Sequence, residues 1–321
     1  ATLRSTPEEQ VLGNQVEALA RAKTVSAQTP ASRSAAASTV IGILALVWAF
    51  AFSGHLEQQL EQVAGEALRR AGRYLDATAR GIPGIPVCGR QLREGSGRAS
   101  EPSAVLDLPG VVVIAKPPGW EVDYSDEIDD CLSLSLFLQA ILAGHVLPLA
   151  HDQQHHYGFL HRLDTPSSGL IMAAKSYESY FDLRLQLSVG ALAREYTVLC
   201  HGWLPPERTE VEEPVHWTVR SCLPSTVRAH GKPARTRLEV TDRGTRCMEA
   251  FSLLAIQIDT GRRHQIRVHG AHIGHPVVCD GRYGALPGFQ QDLQWCPRNF
   301  LHRHRLAFRD LAGRQRQVLA P

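Results

Sequence analysis

The chain has 321 residues, 44% of them apolar and 21% charged, a balance ordinary for a globular protein and long enough for two domains or one domain with an extension. A formal charge of +2 neither demands nor opposes a nucleic-acid partner, because local basic faces matter more than the total. The seven cysteines are odd in number and form no C-x-x-C pair, which excludes a disulfide framework and a zinc ribbon and fits a reducing compartment.

The first hundred residues differ in texture from the rest. "STPEEQVLGNQVEALARAK" has the marks of a helix: Thr6 as cap, Pro7 at the first helical position, Glu9 closing a capping box, and Val11, Leu12, Val16 and Leu19 at helical spacing. A Ser/Ala/Thr-rich linker is expected over 24–37. No ionisable side chain lies between Arg33 and His55, and a helix over that interval is about 30 Å long, the thickness of a bilayer's hydrocarbon core. With Trp48, Phe50 and Phe52 near one end, the run reads as a transmembrane helix at about 35–54. An amphipathic helix follows at about 56–78, its apolar stripe running through Leu56, Leu60, Val63, Leu68 and Leu75. Gly/Pro/Ser-rich sequence then marks a boundary near residue 100. The organisation expected is a helical extension, 1–100, and a second domain, 101–321.

From Ala104 onward strands and helices alternate. "AVLDLPGVVVIAK" is strand-like and stops at Lys-Pro-Pro-Gly. "SLSLFLQAILAGHV" reads as a helix, "GLIMAAK" as a strand, and "SYESYFDLRLQLSVGAL" as a helix ending near Gly190. "AREYTVLCHGWLP" is a strand ended by Pro205, and "TRLEVTDRG" and "MEAFSLLAIQIDTG" pair as antiparallel strands. "RRHQIRVHGAHIG" reads as a helix entered just after Gly261. "HDQQHHYGFLH" reads as a solvated loop, and "HRHRLAFRDLAGRQRQ" as a basic surface.

Three segments carry candidate chemistry. In "HRLDTPSSGLIMAAK" Asp164 stands before a Ser-Ser-Gly turn, where an aspartate is most often a local turn stabiliser. In "REYTVLCHG" Tyr196 is either a packed strand aromatic or a flat surface on which a base stacks. "IDTGRRHQIRVHGAHIGHP" gathers three arginines and four histidines. These histidines lack the i, i+4 pairing around a glutamate expected of a helical zinc hydrolase, no carboxylate lies among them, and the arginines suit an anion better than a metal.

In this order the three segments resemble the RluA-type pseudouridine synthases. "HRLDTPSSGLIM" matches that family's HRLD motif, "REYTVLCHG" its tyrosine strand, and "TGRRHQIRVHGAHIGHPVVCDGRYG" its TGR-x-HQIR-x-H…GHP…GD-x-x-YG signature. "VVVIAKPPGWEV" is similar to its first strand and turn, and "NFLHRHRLAF" to its closing LHA-x-x-L-x-F element. The resemblance implies an α+β pseudouridine synthase fold with a mixed, largely antiparallel sheet and a central cleft, here with the N-terminal helical extension. It implies isomerisation of uridine to pseudouridine in RNA, ribosomal or transfer, with no cofactor and no metal. Asp164 maps onto the essential aspartate, which either attacks the ribose C1′ or takes part in abstracting a sugar proton. Tyr196 maps onto the tyrosine that stacks on the uracil, and Arg267 onto the arginine that pairs with the aspartate. Arg162, Arg262, His264 and Gln265 fall where the family meets RNA. The chain departs from the pattern at Pro166, Gly270, Cys279 and Arg303, the last replacing the alanine of the closing element. Together with the apolar run, the expected protein is a membrane-tethered synthase of a plastid or mitochondrion. The alternative is a synthase-like structural subunit of a membrane complex.

Overall fold

The computed structural model describes residues 30–79, 101–122, 132–142, 147–218 and 223–320, with no side chains described for 30–39. The helix expected over 5–23 and the boundary near 100 lie outside these residues. Two helices come first, α1 (Pro30–Ser53) and α2 (Gln58–Ala79). The strands β1 (Ser103–Asp107), β2 (Val111–Lys116), β3 (Trp120–Glu121) and β4 (Leu132–Ser133) lead to α3 (Leu134–Ile141). Next are β5 (Ser168–Ala174), α4 (Tyr177–Ser188), β6 (Ala193–His201), β7 (Glu210–Val211), β8 (Val215–His216) and β9 (Thr226–Val227). The chain closes with β10 (Thr236–Arg246), β11 (Glu249–Ile258), α5 (Gln265–His272), α6 (Leu286–Asp292), β12 (Leu301–Arg309) and β13 (Gln315–Leu319).

Nine strands form one sheet in the order β1-β2-β5-β12-β6-β11-β10-β7, with β13 paired to β12. All its pairings are antiparallel except β5–β12. The expected α+β fold with a mixed, largely antiparallel sheet is therefore present. The one parallel contact needs Gly169: its φ is +120°, and a Cβ there would lie 2.3 Å from the Arg303 carbonyl oxygen. The Ser-Ser-Gly turn after Asp164 thus delivers the chain directly against β12. Because β2 and β5 are covered on both faces, they are buried almost throughout. β6 instead alternates, with Arg194, Tyr196, Val198 and Cys200 turned to one side.

The extension packs on this sheet through α4. The bilayer span expected at 35–54 is corrected: among the described residues no helix is long and apolar enough to cross a membrane. Helix α1 lays Val40, Ile43, Leu44 and Val47, one stripe at helical spacing, into the same core as Leu170, Met172, Tyr180 and Phe308. Farther along, Trp48 and Phe52 stack on each other and hold the guanidinium groups of Arg262 and Arg235 at 4.9 and 5.1 Å from their rings. The buried stripe serves protein contacts, so the membrane anchor, and the complex-subunit role that drew on it, find no support in the fold. The linker expected to run to residue 37 also ends earlier, since α1 begins at Pro30.

Helix α2 matches the amphipathic segment expected at 56–78, and it is integral to the domain. Asp76 caps α4, accepting from the backbone N–H of Tyr177 at 2.8 Å and of Glu178 at 3.1 Å. At Gly72 the helices cross so closely that a Cβ would meet the Glu178 backbone at 2.4 Å. Gly72→Ala is expected to lower stability by about 1–3 kcal/mol, read as a fall in Tm; an unchanged Tm would mean that α2 does not pack on α4.

Three further local expectations differ. The "HDQQHHYG" segment is built rather than a solvated loop: His155 lies edge-on to Tyr177, Tyr180 and Phe181, and Asp152 accepts from the Tyr177 hydroxyl. Helix α5 starts at Gln265 and not directly after Gly261, because Arg262–His264 form a turn with His264 at φ +56°. In the C-terminal hairpin Arg303 points inward instead of adding to a basic surface, and Arg305 pairs with Glu195.

Candidate active site

Asp164 sits on the loop before β5, with 16% of its side chain exposed. Two anchors hold that loop. The Ser167 N–H donates to the Asp164 carbonyl at 3.0 Å, closing the turn. The buried Lys116 ammonium donates to the carbonyls of Pro117, Thr165 and Ser167 at 3.0, 3.2 and 2.7 Å. Burial, opposed by Asp164 and aided by Arg298 and Arg303, brings the Lys116 pKa down to about 7.

Arg267, on the first turns of α5, reaches Asp164 Oδ2 through Nη1 at 2.7 Å. Its Nε and Nη2 form a bidentate pair with Asp280 at 2.6 and 2.7 Å. Asp280 also accepts from the backbone N–H groups of Arg282 and Tyr283. One guanidinium therefore links two carboxylates, and its direction is set by Asp280 independently of Asp164. Burial disfavours the Arg267 charge, but the hydrogen bonds to Asp280 and the charge of Asp164 outweigh it and raise its pKa. For Asp164, burial pushes the pKa up, yet the cations around it win and hold it below 3.8.

His264 Nε2 lies 3.8 Å from Asp164 Oδ1, and its Nδ1 is 2.8 Å from the Tyr283 hydroxyl. Burial carries the His264 pKa down to about 4 against the pull of Asp164, so the ring is uncharged at neutral pH. Arg267, rather than His264, is then the counter-ion of Asp164 at that pH.

The other expected site residues divide. Tyr196 projects from β6 into the core beside Leu163, 3% exposed, with its hydroxyl 2.5 Å from Arg303 Nη2. Arg162 is exposed, and its charge reaches Asp164. Arg262 is half-buried, donating to the Pro233 carbonyl at 2.8 Å and lying over Trp48. Gln265 differs from the expected RNA contact. It is 3% exposed, and its amide is engaged by Thr260, the Arg262 N–H, the Arg235 carbonyl and Thr236. It shapes the TGRRH turn from inside.

Among the described residues, His201, Glu249 and Asp292 bring possible metal-ligand atoms within 4.8 Å of one another. Asp292 Oδ2 already meets His201 Nε2 at 2.8 Å and the Cys279 N–H at 2.6 Å, which holds Cys279 at φ +58° just before Asp280. This group braces the Asp280 turn. No sequence motif marks it, since its members are spread over a span of 91 residues.

The RNA pseudouridylate synthase family model matches residues 110–272, a segment that contains Asp164, Tyr196 and Arg267. The chain belongs to the RNA pseudouridylate synthase family. It is 38% identical to the ribosomal large subunit pseudouridine synthase D of Nitrosomonas europaea over 154 residues, 46% of this chain and 43% of that one. An uncharacterized RNA pseudouridine synthase of Chloroflexus aurantiacus is 34% identical over 165 residues, 51% of this chain and 49% of the relative. The chain thus spans about half the length of such relatives. Human RNA pseudouridylate synthase domain containing 1 shares the fold, with a TM-score of 0.53 at 22% identity, over 71% of this chain and 86% of that one. Asp280 and Lys116 lie in stretches that resemble the family's motifs, and that was the available signal for them. Arg303 departs from the family pattern, so no motif pointed to its place beside Tyr196.

Proposed function

We propose that the protein isomerises uridine to pseudouridine in RNA, with Asp164 as the essential carboxylate. The observation that carries this reading is the Arg267 fork, 2.7 Å from Asp164 and bidentate on Asp280. It keeps one carboxylate ionised and aimed in a largely water-excluded site, as attack on C1′ or removal of a sugar proton requires. The target uridine must leave its stack to reach such a carboxylate. Tyr196 then lies against the uracil, and the exposed Arg162, with Arg262 and His264 nearby, meets the flanking phosphates and ribose. No step calls for a metal or cofactor: the C1′–N1 bond breaks, a C1′–C5 bond forms, and one proton moves from C5 to N1.

Pseudouridine mapping on total RNA from cells with and without the protein tests this. At least one position is expected to lose its modification and to regain it when the gene is restored. Identical maps would refute the proposal, and the lost position would also name the RNA.

A further inference from the structure

Arg303 is 1% exposed and is among the largest fully buried side chains of the described residues. Its guanidinium has four hydrogen-bond partners. Nη1 donates to His161 Nδ1 at 2.7 Å and to the Leu170 carbonyl at 3.1 Å. Nη2 donates to the Tyr196 hydroxyl oxygen at 2.5 Å and to the Arg162 carbonyl at 3.3 Å. Its Cζ lies 4.9 Å from the centre of the Tyr196 ring. Two of these partners are carbonyls and one is a phenol. The fourth, His161, is kept neutral by burial and by the charges of Arg303 and Arg194.

No carboxylate among the described residues takes up this charge, whereas Arg267 a short way off has two. A buried cation without an anionic partner is costly, and anything that brings negative charge beside it recovers part of that cost. Arginine donates and never accepts, so the Tyr196 oxygen must accept from Nη2, and its own proton points elsewhere. The Arg162 carbonyl ties the same guanidinium to the segment that carries Asp164. Arginine here replaces the alanine of the family's closing element, so the contact lies outside the family's shared motif.

We infer that Arg303 is a positioning residue that acts through Tyr196: it fixes the phenol oxygen toward the bound uracil and offsets negative charge on that oxygen during proton transfer from C5. This rests on the isomerase reading above. The step balances without a co-reactant. Tyr196 first releases its phenol proton to solvent, with the Arg303 charge beside the phenolate oxygen, and once C5 is joined to C1′ the C5 proton passes to that oxygen. The C–H electron pair forms the C5=C6 bond as the N1=C6 bond opens, N1 takes a proton from solvent, and Tyr196 is left as the neutral phenol it began as.

The test uses the full chain and an RNA fragment bearing the mapped uridine, with hydrogen or deuterium at C5. Arg303→Met is expected to lower kcat by about 10²-fold with KM changed by less than about twofold, the scale of a lost acid–base contribution. It is also expected to reveal a primary C5 isotope effect on kcat that the parent lacks. Tyr196→Phe should show the same isotope effect, and the double variant should be no slower than Tyr196→Phe alone. Arg303→Lys, which keeps the charge, should recover about tenfold. Unaltered kcat, loss of rate without an isotope effect, or additive losses in the double variant would each overturn the inference. If Arg303→Met does not fold by circular dichroism, Arg303→Gln makes the same comparison. An inactive parent protein overturns the isomerase reading itself and this inference with it, whereas an active parent with structural-type losses overturns only this inference.

Discussion

Asp164→Asn is expected to leave the protein folded and to lower pseudouridine formation by about 10⁴-fold or more, as loss of an essential nucleophile or base does. The amide keeps the shape of the carboxylate and an oxygen that can accept from Arg267. It has neither the charge to attack C1′ nor the basicity to take a sugar proton. The fold should survive because Arg267 retains its bidentate partner Asp280, at 2.6 and 2.7 Å, so the substitution leaves no guanidinium unpaired. The measurement is conversion of the mapped uridine under single turnover, with a melting curve alongside. Turnover within a few-fold of the parent would remove Asp164 from the mechanism.

Arg267→Met should have the opposite balance, with stability affected as strongly as activity. It strips the counter-ion from two carboxylates at once, Asp164 and the 2%-exposed Asp280. Breaking a buried pair by removing one partner costs about 3–5 kcal/mol, and for a domain of this size that lowers Tm by about 10 °C. The loss should depend on pH. In the parent the Asp164 pKa lies below its ordinary 3.8, so the stabilisation from its ionised form is present above that value. It is lost as pH falls through the folded pKa. The stability gap between parent and variant should therefore be widest near neutrality and shrink as pH falls below about 4. Denaturant melts at pH 7 and at about pH 2.5, below the ordinary carboxylate value, measure it. A gap that is equal at both values would mean that Arg267 acts through packing rather than through its charge.

These two outcomes bear on why the site is built as it is. Asp164 is on a loop, and loops are the least rigid parts of a fold. Here Lys116 grips the loop through the carbonyls of Thr165 and Ser167, Gly169 lets it run against β12, and Arg267 meets its carboxylate. Arg267 is itself oriented by Asp280, whose turn Asp292 braces through the Cys279 N–H. Reach, charge and direction are supplied by separate residues, which is how a site holds its geometry to a fraction of an ångström.

Much of this was legible in the sequence because it is local. Alternation in "REYTVLCH" and the buried run at Val111–Ile114 identify strands, the spacing in about 56–78 identifies an amphipathic helix, and the three motifs mark Asp164, Tyr196 and Arg267. Such patterns arise within one element, where the backbone period dictates which side chains share a face. What only the tertiary structure decided are contacts between distant elements. Arg267 meets Asp164 across 103 residues, and Arg303 meets Tyr196 across 107 and the Arg162 carbonyl across 141. A bilayer and a protein core select the same apolar side chains, so composition alone assigned helix α1 to lipid. Only the packing of Val40, Ile43, Leu44 and Val47 against the sheet-bound core assigns its described part to protein. In the same way, Arg303 and Gln265 read as surface residues because each is polar, and both are buried because partners from other strands and loops satisfy their hydrogen bonds. The sequence by itself determined the strands and helices and marked the segments that resemble the family's motifs. The tertiary structure decided which charges face one another, because that depends on the strand order and on the turns that bring distant segments within 3 Å.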